Sequence, residues 1–152
     1  MKKQICTIIL FTLLLSIAKS QSLTALQYTD SLRKMIKVLE SNQKLSKKLI
    51  ITCMPINREE AYIFFSLDND KSTRPSLWKL FELIEEKSKD GDVDIFRKYL
   101  LMSNYVDGYF AEHYFDKIED ILTVRRKLFC DLVAQISIER VKKFKDYYSA
   151  CK

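Results

Sequence analysis

The sequence predicts an all-α fold. The chain has 152 residues, of which 47% are hydrophobic and 30% are charged, which is the composition of a globular domain. It contains two Gly and two Pro, where average usage would give about eighteen, so sheets and barrels that need many tight turns are disfavoured. Apolar residues recur at three- and four-residue intervals in nearly every long segment. We therefore expect a compact bundle or a short array of antiparallel helix pairs, with six or seven helices and no significant sheet.

The first twenty residues have the pattern of a secretory signal peptide. Two lysines precede an uncharged apolar stretch, and the small residues Ala18 and Ser20 stand at the positions that a signal peptidase recognises. The apolar core is shorter than the roughly 20 residues of a comfortable membrane span, so an uncleaved anchor is the less favoured alternative. We expect cleavage before Gln21, a single helical domain over residues 21–152, and a soluble periplasmic or extracellular protein without stable membrane insertion.

The helices of the first half follow from their apolar spacing. The stretch from Leu23 to Ile51 is helical in pattern, with a possible break at residues 41–43, and Pro55 ends it. Asn57 stands three residues before Glu60, so the two side chains can cap each other's backbone donors at the start of a short helix. Residues 68–74 form the clearest loop.

Four further helices are predicted in the second half. Thr73 can cap a helix with Pro75 in its first turn, and Gly91 ends that helix. Asp92 caps the next helix, which extends to the junction at residues 107–108. Another helix follows this junction, and a long final helix is expected beyond residues 125–127, ending near residue 148.

A weak internal repeat relates residues 80–86 to residues 114–120. Six of the seven aligned positions agree in character at an offset of 34 residues, which is the length of a helix-hairpin unit. Chance resemblance between amphipathic helices is the favoured explanation, because a third copy is absent and stable arrays usually need three.

Three cysteines remain after signal cleavage, in a chain that is expected to meet an oxidising compartment. They are Cys53, Cys130 and Cys151, and the sequence permits three pairings. Cys130 lies in an apolar run, where a buried thiol is as plausible as a bridge. We give a slight preference to a disulfide between Cys53 and Cys151, which flank helical segments.

Charge is distributed unevenly along the chain. The formal net charge of +6 falls to +3 once residues 1–20 are removed, and an exported protein with so small an excess is not expected to bind nucleic acid. Residues 21–52 carry +4, residues 53–122 carry −6, and residues 123–152 carry +5. Basic terminal segments that pack over an acidic middle are the favoured explanation, and a charged partner surface is the functional alternative.

No motif identifies a reaction or a cofactor. His113 is the only histidine, and we interpret it as a half-exposed helix residue in preference to a general base or a pH-sensitive contact. Glu112 and Asp116 belong to a run of carboxylates that resembles a solvated helix face more than the paired acids of a glycan hydrolase. We therefore assign no catalytic residue, no cofactor and no metal site.

The leading hypothesis is a small exported helical protein that binds a macromolecular partner, expected to be another protein, as an inhibitor or immunity-type protein does. Aromatic residues cluster around the junction between two helices, and lysines are concentrated near the end of the chain. The candidate partner surface therefore comprises Tyr105, Asp107, Tyr109, Phe110, Lys142, Lys143 and Lys145. A binder of a small apolar ligand between helices is the alternative, followed by a carboxylate-dependent glycan hydrolase.

Overall fold

A computed structural model describes residues 24–149 and residue 151, and this part of the chain is all-α, with seven α-helices and no strand. The predicted fold class is confirmed, whereas the predicted signal peptide lies outside the described residues. The helices are α1 (Ala25–Glu40), α2 (Lys47–Cys53), α3 (Arg58–Ser66), α4 (Arg74–Asp90), α5 (Val93–Met102), α6 (Gly108–Ile136) and α7 (Lys145–Ser149). Two 3-10 helices, Leu67–Asn69 and Ile138–Phe144, follow α3 and α6. None of the described helices combines the length and apolar character that a membrane crossing requires.

Side-chain caps fix where the first three helices begin. The hydroxyl of Thr24 caps α1 and the hydroxyl of Ser46 caps α2. At α3, Asn57 Oδ1 accepts a hydrogen bond from the Glu60 backbone N–H at 2.8 Å, as predicted. The Glu60 carboxylate accepts a hydrogen bond from the N–H of Ile56, one residue before the position that a reciprocal capping box requires.

Helix α4 lies at the centre of the bundle and contacts α1, α5 and α6. One stripe of its side chains is wholly inaccessible to solvent, which confirms the apolar face predicted for this helix: Leu77, Leu80, Phe81 and Ile84. Thr73 occupies the N-cap position, but the prediction that its side chain caps α4 is wrong. Its hydroxyl instead donates to the carbonyl of Leu67 at 2.6 Å, which ties the preceding 3-10 turn to the helix start.

The junction between α4 and α5 has the two caps that the sequence predicts. Gly91 ends α4 with φ +94°, a left-handed conformation that favours glycine, and the Asp92 side chain caps α5. Arg125 of α6 reinforces this corner, because its Nε donates to the Lys89 carbonyl at 2.7 Å and its Nη2 donates to the Asp90 carbonyl at 3.2 Å. These bonds satisfy carbonyls that the end of α4 leaves without helical partners.

The prediction of one long final helix ending near residue 148 is wrong. Helix α6 continues from Gly108 through a kink at Arg125 (φ −127°, ψ 30°) and stops at Ile136. Ser137 then adopts φ +75°, and the chain turns back as a 3-10 helix. This reversal buries Val141 and Phe144, and Phe144 packs against Phe129 of α6 with ring centroids 6.0 Å apart.

The predicted bridge between Cys53 and Cys151 is also wrong, because the disulfide joins Cys130 to Cys151. The chain reversal after Ser137 returns the C-terminal segment to the side of α6 that carries Cys130. Cys53 is a buried free thiol at the end of α2, and its Sγ lies 3.5 Å from the carbonyl oxygen of Ser31 in α1. Burial raises the pKa of the Cys53 thiol to about 12.

The basic N-terminal segment does contact the acidic middle of the chain. Lys47 Nζ lies 2.8 Å from a carboxylate oxygen of both Asp92 and Asp94, and it joins the start of α2 to the start of α5. The basic C-terminal segment contacts the middle through backbone carbonyls, since Lys143 Nζ donates to the carbonyl of Val106 at 3.0 Å. Both basic segments therefore contact the acidic middle of the chain.

The disulfide between Cys130 and Cys151 predicts how many free thiols the predicted mature chain has and how much stability it loses on reduction. A thiol reagent should find no reactive thiol in the native protein and one in denaturant, because Cys53 is buried and the other two cysteines are bonded. Reduction should lower the free energy of unfolding by about 3 kcal/mol, given a loop of this length, as measured by urea unfolding with and without reductant. Three thiols in non-reducing denaturant would contradict the bridge.

The conformation of Gly91 predicts the effect of its replacement. Gly91→Ala should lower the free energy of unfolding by about 1 kcal/mol, because a Cβ is strained at positive φ. The nearest atoms to that Cβ would be in the Arg125 side chain at 3.7 Å, so strain and not a clash sets the cost. An unchanged urea midpoint would show that this junction does not require glycine.

Candidate partner-binding surface

The loop between α5 and α6 presents Tyr105 on the surface of the bundle. A hydrogen bond from its backbone N–H to the Met102 carbonyl (2.9 Å) holds the turn, and the next residue, Val106, is buried as an anchor. The Tyr105 hydroxyl donates to the carbonyl of Ile56, before α3, at 2.6 Å. The ring is thus fixed at both ends and stands between two surface grooves.

The first groove, here the α3 groove, has a volume of about 600 Å³ and is open to solvent. It runs between α3 and the loop that carries Tyr105, and Lys143 contributes from the C-terminal segment. Its lining residues are Arg58, Ala61, Tyr62, Phe65, Ser66, Asn69, Asn104, Tyr105, Val106, Asp107 and Lys143. Tyr62 is 80% exposed, so this groove carries a large aromatic surface that the fold itself does not use.

A packed aromatic cluster supports the α3 groove. Phe65 of the groove lies 4.7 Å from Phe110 between ring centroids, and Phe110 stacks on Trp78 at 5.3 Å. The Trp78 indole N–H donates to a carboxylate oxygen of Asp68 at 3.0 Å, which fixes the ring. Tyr109 packs edge-on against Trp78 and remains 68% exposed. The exposed tyrosines therefore stand beside rings whose positions are fixed.

The second groove, here the α5 groove, has a volume of about 730 Å³ and is also open. It shares Asn104 and Tyr105 with the α3 groove. Its remaining lining residues are Ile56, Asp94, Arg97, Lys98, Leu101 and Arg140. Three of these side chains are cationic and one is anionic, so the α5 groove differs from its neighbour in charge.

The structure brings together most of the predicted partner surface. Tyr105, Asp107 and Lys143 line the α3 groove, whereas Tyr109 and Phe110 belong to the adjoining aromatic cluster. The remaining two residues, Lys142 and Lys145, are exposed but are not among the lining residues of either groove.

Sequence reasoning missed the residues that complete the two grooves. One sequence pattern could have identified Tyr62. The buried positions of α3 are Glu60, Ala61 and Phe64, and position 62 lies outside that buried stripe. An aromatic residue on the solvent face of an amphipathic helix is a candidate for a contact. No sequence pattern identifies Arg97 and Arg140, because they come to line the same groove only when the chain folds.

His113 forms a pair with Glu85 away from both grooves. Its Nε2 lies 2.8 Å from Glu85 Oε1, and the two side chains are 25% and 12% exposed. The ring stands edge-on to Trp78 at 5.1 Å, and the Tyr99 hydroxyl donates weakly to the same carboxylate at 3.5 Å. Burial raises the pKa of the Glu85 carboxyl, although His113 favours its charged form.

The carboxylates considered for glycan hydrolysis lie on a solvated face. Glu112 and Asp116 are both exposed on α6, as is Glu119, which accepts a hydrogen bond from the Tyr147 hydroxyl at 2.6 Å. Hydrolysis by paired carboxylates requires one acid that burial keeps protonated, and exposure to solvent does not supply that condition. This arrangement gives the hydrolase alternative no support.

Comparisons with protein-family models, curated proteins and solved structures give no match to this chain. We therefore infer a function from the two grooves and their residues.

The buried Glu85 predicts a pH dependence of stability. Because its pKa is raised above 4.5, the folded state binds this proton more tightly than the unfolded state does. The resulting stability is present below pH 4.5 and is lost as the pH rises through the raised pKa. Glu85→Gln lacks this titration, so the wild type should lose stability relative to the variant as the pH rises from 4.5 through the raised pKa.

Urea unfolding of both proteins across this range measures the difference. Glu82→Gln on the same helix is the matched control, because Glu82 is exposed. A stability difference that stays constant with pH, or reverses, would show that His113 offsets the cost of burying the carboxylate.

Proposed function

We propose that this protein acts by binding another protein through the surface formed by the α3 groove and the adjoining aromatic cluster, without chemistry of its own. The exposure of Tyr62 and Tyr109, 80% and 68%, is the observation that carries the proposal. Tyrosine and other aromatic residues are enriched at protein interfaces and supply much of the binding energy. Tyr62 lines a groove of about 600 Å³, Tyr109 belongs to the adjoining aromatic cluster, and both leave most of their surface to solvent.

The rigidity of the support favours binding. Phe110 is stacked on Trp78, and Trp78 is held by Asp68, so the cluster under the exposed rings is already ordered. The hydrogen bond from Tyr105 to the Ile56 carbonyl orders the other side of the groove. A surface that is ordered before association loses less conformational entropy on binding, which improves affinity.

Export is part of the proposal. The signal-like first twenty residues predict passage into an oxidising compartment, and the disulfide between Cys130 and Cys151 is of the kind that persists there. A disulfide-stabilised helical protein with a preformed aromatic surface is suited to hold a partner outside the cytoplasm. An inhibitor or immunity-type protein that blocks an enzyme is one such role.

The α3 groove supports a protein partner better than a small apolar ligand. Sites for apolar small molecules are usually concave and enclose most of the ligand. The α3 groove is open and includes the charged residues Arg58, Asp107 and Lys143 along with its aromatic ones. A mixed, open surface of this kind resembles a protein interface, with aromatic contacts and a polar rim.

The test is capture with matched variants. The predicted mature chain, with its disulfide intact, is immobilised and incubated with an extract of the cells that produce it. A partner of the aromatic surface should be retained by the wild type and lost by Tyr62→Ala/Tyr109→Ala. Truncation of interface tyrosines costs about 2 kcal/mol or more when they are central contacts, so the affinity should fall at least about tenfold.

The control is a second pair of exposed apolar residues. Leu26 and Val124 are 80% and 55% exposed and line neither groove, so Leu26→Ala/Val124→Ala should retain the same partner. A protein that both double variants lose equally, or that both retain, contradicts binding through the aromatic surface. Far-UV circular dichroism checks that each variant stays helical.

A further inference from the structure

We infer that the α5 groove binds an acidic segment of a partner protein, with the partner's carboxylates placed between Arg97 and Arg140. This inference rests on the proposed function and names the chemistry of the partner. The α5 groove has a volume of about 730 Å³ and adjoins the α3 groove at Tyr105, so one partner can reach both.

The arginines of the α5 groove have no carboxylate partner within the described chain. Arg97 donates from Nη2 to Gln135 Oε1 at 2.6 Å, which positions the guanidinium without neutralising it. Its Nε is buried and has no hydrogen-bond partner among the described residues. The exposed side chain of Arg140 makes no ion pair with the part of the chain that is described, while its carbonyl accepts a hydrogen bond from Asn104 at 2.8 Å.

The third cation, Lys98, is compensated within the protein. Its Nζ donates to the carbonyl of Ile51, and the buried carboxylate of Glu60 attracts it. Burial lowers the pKa of Lys98. This residue therefore contributes to the wall of the groove, and the two arginines supply the uncompensated charge.

Asp94, the acidic residue that lines the α5 groove, forms an ion pair with a lysine outside the groove. Asp94 lies 2.8 Å from Lys47 Nζ, which also holds Asp92 at the start of α5. Lys47 is shared by two carboxylates, so Asp94 offsets part of the positive charge, and the guanidinium groups of Arg97 and Arg140 together leave the α5 groove net positive. Arginine binds carboxylates through two parallel hydrogen bonds, so two arginines at one groove favour an acidic ligand.

Apolar side chains in the same groove indicate a peptide segment and not an isolated ion. Ile56, which is 37% exposed, and Leu101 line the groove beside the Tyr105 ring. An Asp or Glu side chain can pair with the arginines while a neighbouring apolar residue covers Ile56 and Leu101. The groove is large enough for several side chains.

The surrounding charge favours a short acidic segment over a polyanion. Arg97 lies in the segment 53–122, which carries a net charge of −6, whereas Arg140 lies in the segment 123–152, which carries +5. The two arginines of the α5 groove therefore stand where an acidic and a basic segment meet. A nucleic acid or a sulfated glycan needs a continuous basic stripe to neutralise successive charges. A stretch of one or two carboxylates matches the two arginines of the α5 groove.

Selection from a displayed random-peptide library on the immobilised protein tests the inference. Enriched peptides should contain Asp or Glu next to an apolar residue, and a synthetic copy of the best peptide serves as the probe in titrations. Arg97→Gln/Arg140→Gln should weaken its binding at least about tenfold, as the loss of a charge-assisted contact does. Because Arg97 is partly buried, Arg140→Gln alone provides a variant whose changed side chain is exposed, and it should also weaken binding.

The control replaces two exposed cations that line neither groove. Arg33→Gln/Lys127→Gln makes the same change in net charge and should leave the peptide affinity unchanged. Equal weakening by this control would show a general effect of net charge and would overturn the inference. Displacement of the peptide by an equal concentration of single-stranded DNA would overturn it in favour of a polyanion site.

The remaining outcomes separate this inference from the proposed function. Enriched neutral peptides whose binding requires Tyr62 and Tyr109 would overturn the acidic-segment inference and leave the proposed protein-binding surface supported. If no peptide is enriched, the inference is also overturned, and the capture experiment with the tyrosine variants decides the proposed function independently.

Discussion

Burial of the apolar stripe of α4 is the interaction on which the rest of the structure depends. Four of its side chains are wholly inaccessible, and α1, α5 and α6 all pack against this helix. Burial of each large apolar side chain contributes about 1.5–3 kcal/mol, so this stripe is a main source of stability. The two ends of α4 then position other features. Trp78 near its start supports the aromatic cluster, and Gly91 at its end forms the corner that Arg125 reinforces.

The sequence predicted the features that local interactions determine. The stripe of α4 follows from helical spacing, and the left-handed Gly91 follows from its place between a helix end and the capping Asp92. The cap of Asn57 on α3 was predicted for the same reason, since the donor it satisfies lies three residues away. In each case the deciding contact lies within a few residues, so the sequence contains the information.

Contacts between distant segments account for what the sequence could not supply. The true disulfide depends on the reversal at Ser137, where a serine with φ +75° gives no local sign of a turn. The α5 groove could not be predicted for the same reason, because Arg97 and Arg140 lie in segments that approach each other only in the folded chain. The aromatic surface was predicted in part, since Tyr105 and Tyr109 stand near one junction, whereas Tyr62 comes from α3.

The hydrogen bond between the Tyr105 hydroxyl and the Ile56 carbonyl makes the two grooves share a wall. A rotation of this ring would alter the shape of both grooves and would break the bond that holds the loop. A ligand in either groove therefore contacts the same side chain. By thermodynamic reciprocity, a contact on one side that shifts Tyr105 changes affinity on the other side by the same factor as in the reverse direction.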